Sequence, residues 1–226
     1  VVESRDYVRV DTLEILYPST LSLNHMIKGK ISLEKVVDGL YHVAITLQTM
    51  HKRNLVHGDV KNWNIFVVNH ELKLFDFDNC DRMGFTLQRS DYPFWDVSSN
   101  LFGLIHPFRD VFGWTMVLGI ALGGADFYKI MCEYYMNREV YKPVQDMFKS
   151  KNGDFYPCAH VFISKIFTAN LRLLDECVAI TEKAKKENET ANSLLQKIAQ
   201  ASLSTIAMDE CIEFIRPWVS RPSQAK

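Results

Sequence analysis

The chain has 226 residues, of which 47% are hydrophobic, 23% charged and 12% aromatic. That composition can build a core and excludes a chain that is disordered throughout. Lys and Arg number 26 against 27 Asp and Glu, a net charge of -1, which argues against a nucleic-acid binder and against a polybasic membrane patch.

Val1 to Val10 mixes β-branched residues with charges, and Thr12 to Tyr17 is apolar-rich; both read as strands, the second ended by Pro18. Glu3, Arg5, Asp6 and Arg9 make the opening unlike a signal peptide. Leu21 to Ile27 reads as a short helix. Ser32 to Arg53 is the clearest helix of the first half, with Ser32 as N-cap. Leu33, Val36, Val37, Leu40, Val43, Ala44, Leu47 and Met50 form its core-facing stripe.

A short strand at Leu55 and Val56, a polar loop from His57 to Trp63, and strands at Ile65 to Val68 and Leu72 to Phe77 follow. Phe85 to Phe108 has no steady period and reads as a long functional loop. Asp110 to Leu122 is apolar almost all round, the pattern of a buried helix. From Ala125 the chain reads as all-helical, with helices at Phe162 to Ala184, Leu194 to Ile206 and Met208 to Ile215. The longest apolar stretch, Met116 to Ala125, is too short for a bilayer that needs about 20 residues, so no transmembrane segment is expected. Five cysteines without metal or CxxC spacing point to reduced thiols and a cytoplasmic or nuclear location.

The chemistry-bearing residues lie between His57 and Asp76. Asp59, Lys61 and Asn64 stand at offsets 0, +2 and +5, and Asp76 follows 17 residues after Asp59. Phosphoryl transfer needs such a set: a carboxylate to accept a proton, a cation for the migrating group, and an amide oxygen with a second carboxylate to hold Mg²⁺. Taken singly, Asp59 could cap a turn and Lys61 could be a solvated charge.

His57-Gly58-Asp59-Val60-Lys61-Asn62-Trp63-Asn64 resembles the HRDxKxxN catalytic loop of protein kinases, and Phe75-Asp76-Phe77-Asp78 is similar to their DFG segment. Leu47 to Val56 resembles the helix end that leads into that loop. Asp110-Val111-Phe112-Gly113-Trp114 resembles the start of the buried central helix, and Arg221-Pro222-Ser223 an RPS near the kinase C-terminus. The resemblance implies a mainly α, protein-kinase-like C-terminal lobe with a few short strands. It implies Asp59 as catalytic base, Lys61 on the γ-phosphate, and Asn64 and Asp76 as Mg²⁺ ligands. His57, packed on Phe77, and Asp110, bonded to the loop backbone, would be supports. ATP and Mg²⁺ are the implied cofactors, and a protein substrate or a regulatory protein the partner. Lys61 places the loop with the serine/threonine class.

The chain departs from the family in places. Gly58 stands where an Arg is usual, Asp78 replaces the Gly of DFG, and Tyr92 to Asp96 is only a faint APE. No GxGxxG and no VAIK-type Lys occur, so residues 1–18 read as a remnant of small-lobe strands and hinge. Residues 19–226 read as a large lobe with a helical extension at about 125–207. The primary expectation is transfer of the ATP γ-phosphoryl to a protein Ser or Thr hydroxyl. A catalytically dead pseudokinase or lobe-only scaffold, and a small-molecule phosphotransferase, are the alternatives.

Overall fold

The computed structural model describes residues 5–9, 12–16, 22–24, 32–68, 71–85, 104–137, 141–149, 151–203 and 206–219. Two strands open the chain, β1 (Arg5–Arg9) and β2 (Thr12–Leu16), paired antiparallel with Arg5 opposite Leu16. Of the expected Leu21 to Ile27 helix, Leu23 and Asn24 are helical, Ser22 instead bridges antiparallel to Phe66, and residues 21 and 25–27 lie outside the described residues.

Helix α1 (Leu33–His51) starts where its cap demands. The Ser32 hydroxyl accepts from the Lys35 N–H at 3.4 Å, satisfying one of the donors a helix N-terminus leaves open. The stripe Val36, Val37, Leu40, Val43, Ala44 and Leu47 is buried. Asn54, with φ 64°, turns the chain out of the helix and into β3 (Leu55–Val56), which pairs with β6 (Asp81–Arg82). Between them β4 (Ile65–Val68) and β5 (Glu71–Leu74) form an antiparallel hairpin with Ile65 opposite Leu74. The hairpin lies on α1 at Gly39, where a Cβ would stand 2.2 Å from a Leu72 methyl carbon. The last pair, β7 (Gly84–Phe85) and β8 (Leu104–Ile105), leads into the central helix.

The β5 strand is shorter than its sequence suggests. The strand expected from the sequence runs to Phe77, but pairing stops at Leu74 and Asp76 takes a left-handed backbone (φ 61°, ψ 72°). Phe77–Asn79 is a 3₁₀ turn. Phe77, outside the strand, is 41% exposed.

Helix α2 (Pro107–Asn137) is buried through its first half and broken at Gly124 (φ 61°, ψ −140°). Its apolar run is longer than the sequence stretch singled out. Within Pro107–Tyr134 an 18-residue window reaches a mean hydropathy of 1.3, yet 67% of that window is buried inside the fold, as in a core helix. Trp114 is fully buried and its indole N–H donates to the Leu40 carbonyl at 2.9 Å, tying α2 to α1. Helices α3 (Tyr141–Phe148), α4 (Phe155–Lys186), α5 (Ala191–Leu203) and α6 (Met208–Ile215) complete the described helical part. The α4 helix begins seven residues before the expected Phe162. It joins the core through Phe167, which packs edge-on against Tyr134 at 4.8 Å, while the Tyr134 hydroxyl donates to the Phe167 carbonyl at 2.7 Å. Helix α6 returns to α1, where Gln48 donates to Asp209. The core is thus built mainly of helices, and strands β3 to β6 flank the polar loop.

Candidate functional site

The hairpin register brings the two halves of the motif together. With Ile65 opposite Leu74, Asn64 and Phe75 meet at its open end, and the Phe75 N–H donates to the Asn64 carbonyl at 2.8 Å. Asp76 is the next residue, so the loop between β3 and β4 and the turn after β5 share one end of the hairpin. The pairing of β3 with β6 closes this arrangement from the other side.

Asp59 is 3% exposed. Its Oδ2 atom receives the Lys61 ammonium at 2.9 Å, the Asn64 amide N–H at 3.0 Å and the Asn79 amide N–H at 3.4 Å. The Asn64 Nδ2 also donates to the Asp59 carbonyl at 3.0 Å. Both Asn64 amide hydrogens are spent on Asp59, which leaves its Oδ1 as the atom for a cation. Asp59 Oδ1 is buried and has no hydrogen-bond partner.

Asp110, fully buried at the start of α2, holds the loop in place. Its Oδ2 accepts from the His57 N–H at 2.9 Å and from His51 Nε2 at 2.8 Å, and its Oδ1 accepts from the Gly58 N–H at 2.8 Å. Burial works to raise its pKa. The hydrogen bond and charge of His51, with the Gly58 N–H, outweigh that and hold the carboxyl below its ordinary range.

The His57 ring donates from Nε2 to the Phe75 carbonyl at 3.0 Å, and its Nδ1 accepts from the Asp59 N–H at 3.3 Å. That pair of bonds suits one neutral tautomer, protonated on Nε2. Desolvation agrees: burial lowers the His57 pKa, against the opposing charge of Asp110. The Phe77 ring packs edge-on against His57 at 4.9 Å. Gly58 has φ 81°, and a Cβ there would stand 2.8 Å from the Asn79 carbonyl oxygen and 3.3 Å from the Arg109 guanidinium carbon. The position reserved for Arg in the family pattern thus has no room here for a side chain.

Trp63, Asn64, Phe66, Phe75, Asp76 and Asp78 line a cavity of about 310 Å³. It offers an amide and two carboxylates beside aromatic walls. Among the described residues no three His, Cys, Asp or Glu side chains converge to hold a metal by themselves. The donor set still fits Mg²⁺, which is usually held by one or two carboxylates plus substrate phosphates rather than by a protein cage.

Of the residues singled out from sequence, Asp59, Lys61 and Asn64 form one hydrogen-bonded cluster. Asp76 joins Asn64 in the cavity, His57 meets Phe77, and Asp110 reaches the backbone of residues 57 and 58. Three residues escaped the sequence reading as site members. Asp78 lines the same cavity, His51 reaches Asp110 across 59 positions, and Asn79 reaches Asp59 across 20. No spacing rule points to His51 or Asn79. The Arg221-Pro222-Ser223 and Tyr92 to Asp96 segments lie outside the described residues.

Residues 7–92 match the family model of the protein kinase domain. The match contains the whole run from His57 to Asp78, so that part of the chain is kinase-domain-like, as its motifs indicate. No curated protein matches the chain.

Proposed function

We propose that this chain is a kinase-type large lobe that transfers the ATP γ-phosphoryl group to a Ser or Thr hydroxyl of a protein. The observation that carries the reading is the Asp59 carboxylate. One oxygen is held by Lys61 and Asn64 while the other is buried and unspent. A carboxylate fixed in this way is suited to accept a proton.

Oδ1 of Asp59 is buried, so the acceptor hydroxyl would reach it once its cover is displaced. Its proton passes to that oxygen as the new O–P bond forms, and the bond to ADP breaks with the electron pair leaving on ADP. Lys61 lies 2.9 Å from Asp59 and is placed to neutralise charge on the migrating group. Asn64 Oδ1 and the Asp76 carboxylate would hold Mg²⁺, which when bound draws charge from the phosphates. Asp110 and His57 keep the loop in shape. Residues 1–18 would contribute small-lobe strands and hinge, and the helices between residues 125 and 207 would be an extension carried by the lobe.

The test is phosphate transfer from γ-labelled ATP, with Mg²⁺, to Ser- and Thr-containing protein acceptors. The parent chain should label them, and Asp59→Asn should lower the rate about 10²–10⁴-fold, the usual weight of a general base, with thermal unfolding unchanged. Transfer that persists in Asp59→Asn, or a parent that labels no acceptor, overturns the assignment.

A further inference from the structure

Two positions that break the kinase-like pattern meet in space. Gly58 replaces the usual Arg of the loop, and the turn Phe77–Asn79 carries Asp78 where a Gly is usual. The Asn79 carbonyl lies where a Gly58 side chain would begin, 2.8 Å from the ideal Cβ position. Because residue 58 is bare and left-handed, the turn can settle onto the loop. The same approach delivers the Asn79 side chain to Asp59, with Nδ2 at 3.4 Å from Oδ2. The edge-on packing of Phe77 on His57 fixes the other end of the turn.

We propose that Asn79 is a positioning residue for Asp59, the third donor that pins Oδ2 and so leaves Oδ1 as the oxygen for the acceptor hydroxyl. This rests on the phosphoryl-transfer reading of the site. The argument is one of valence and direction. Lys61, Asn64 and Asn79 all address one oxygen, and Oδ1 is left buried with no partner. Lys61 and Asn64 come from the same loop as Asp59 and move with it. Asn79 alone of the three comes from the segment that carries Asp76. It therefore couples the orientation of the base to the placement of the metal-binding turn. A carboxylate held from two segments loses less orientational freedom on reaching the transition state than one held from its own loop.

The experiment compares Asn79→Leu, Asn79→Asp and Asn79→Gln in the full chain. Leu and Asp remove the donor, and Gln keeps it on a longer arm. The expected result is that kcat for transfer falls about tenfold in Asn79→Leu, the equivalent of one moderate hydrogen bond. KM for Mg·ATP should hold, Asn79→Asp should be at least as slow, and Asn79→Gln should recover most of the rate. A loss confined to misfolding would not spare KM or be rescued by Gln. A second readout is independent of turnover: in ¹⁵N-labelled protein the Asn79 side-chain amide resonance should shift when Asp59→Ala is introduced. A Leu variant with parental kcat, a loss carried by KM, or an amide resonance indifferent to Asp59→Ala overturns the role of Asn79. A parent that transfers no phosphate while the resonance shifts overturns the transferase reading instead and leaves the contact as structural.

Discussion

Cutting away the Asp110 carboxylate should cost more than any other single change near the loop. The side chain is fully buried and accepts three hydrogen bonds, from His51 Nε2 at 2.8 Å, the His57 N–H at 2.9 Å and the Gly58 N–H at 2.8 Å. Asp110→Ala strands all three donors. At about 1–3 kcal/mol for each buried group left without a partner, the loss is on the order of 3–9 kcal/mol, against about 5–15 kcal/mol for a typical domain. Asp110→Asn is the graded control. Its amide oxygen can still take His51 and the His57 N–H, but its NH₂ then faces the Gly58 N–H, so about 1–3 kcal/mol is lost. Urea unfolding followed by tryptophan fluorescence measures both variants, with the slope checked for unchanged two-state behaviour. The expected order of stability is parent, then Asn, then Ala; if Ala does not fold, Asn carries the comparison. Because the carboxyl pKa is lowered in the fold, its contribution is present above the unfolded value of about 3.9 and lost as pH falls through the lower folded value. An Asp110→Ala chain within about 1 kcal/mol of the parent would show that the loop does not depend on this anchor.

Gly58→Ala should lower the thermal midpoint by at least about 2–8 °C. The left-handed backbone costs an L-residue about 1–2 kcal/mol, and the Asn79 carbonyl must also retreat from a Cβ placed 2.8 Å away; an unchanged melt refutes the close approach. His57 has a pKa lowered first by burial, so the unfolded chain binds its proton more tightly. Stability should be full above about pH 6.5 and decline as pH drops below it towards the folded value. Stability measured from about pH 8 to 5 should show a shallower acid decline in His57→Asn, and an equal decline in both chains contradicts a buried neutral ring. For the metal site, calorimetric titration should find Mg²⁺-dependent nucleotide binding lost in Asp76→Ala and kept in Asp78→Gly. The reverse outcome would make Asp78, which lines the same cavity, the ligand.

Much of the fold is legible where local physics decides. The α1 stripe and its Ser32 cap, the short strand at Leu55 and Val56, and the bounds of α6 follow from periodicity and capping chemistry. The kinase-like cluster is legible because Asp59, Lys61 and Asn64 fall within six positions, and a hairpin with Ile65 opposite Leu74 needs only local pairing to bring Asp76 alongside. What periodicity misses is a change of backbone direction imposed from outside the segment. The alternation Leu72, Leu74, Asp76 predicts one shared face, but the chain leaves the strand at Leu74 and Asp76 turns left-handed. The cause lies in the neighbours: Phe75 gives its N–H to Asn64 and its carbonyl to His57, so the residue after it must bend away from the ladder. A non-glycine residue at positive φ persists only where such contacts over-determine it. Gly58 gives the same lesson from the other side. In the sequence it is only a missing Arg, which suggests control without an activation-segment phosphate. In the fold its lack of a side chain has a local cause, because the carbonyl of Asn79 and the guanidinium of Arg109 already occupy the space. The substitution and the turn at residues 77–79 are two halves of one packing solution, and either half alone is unreadable without the other.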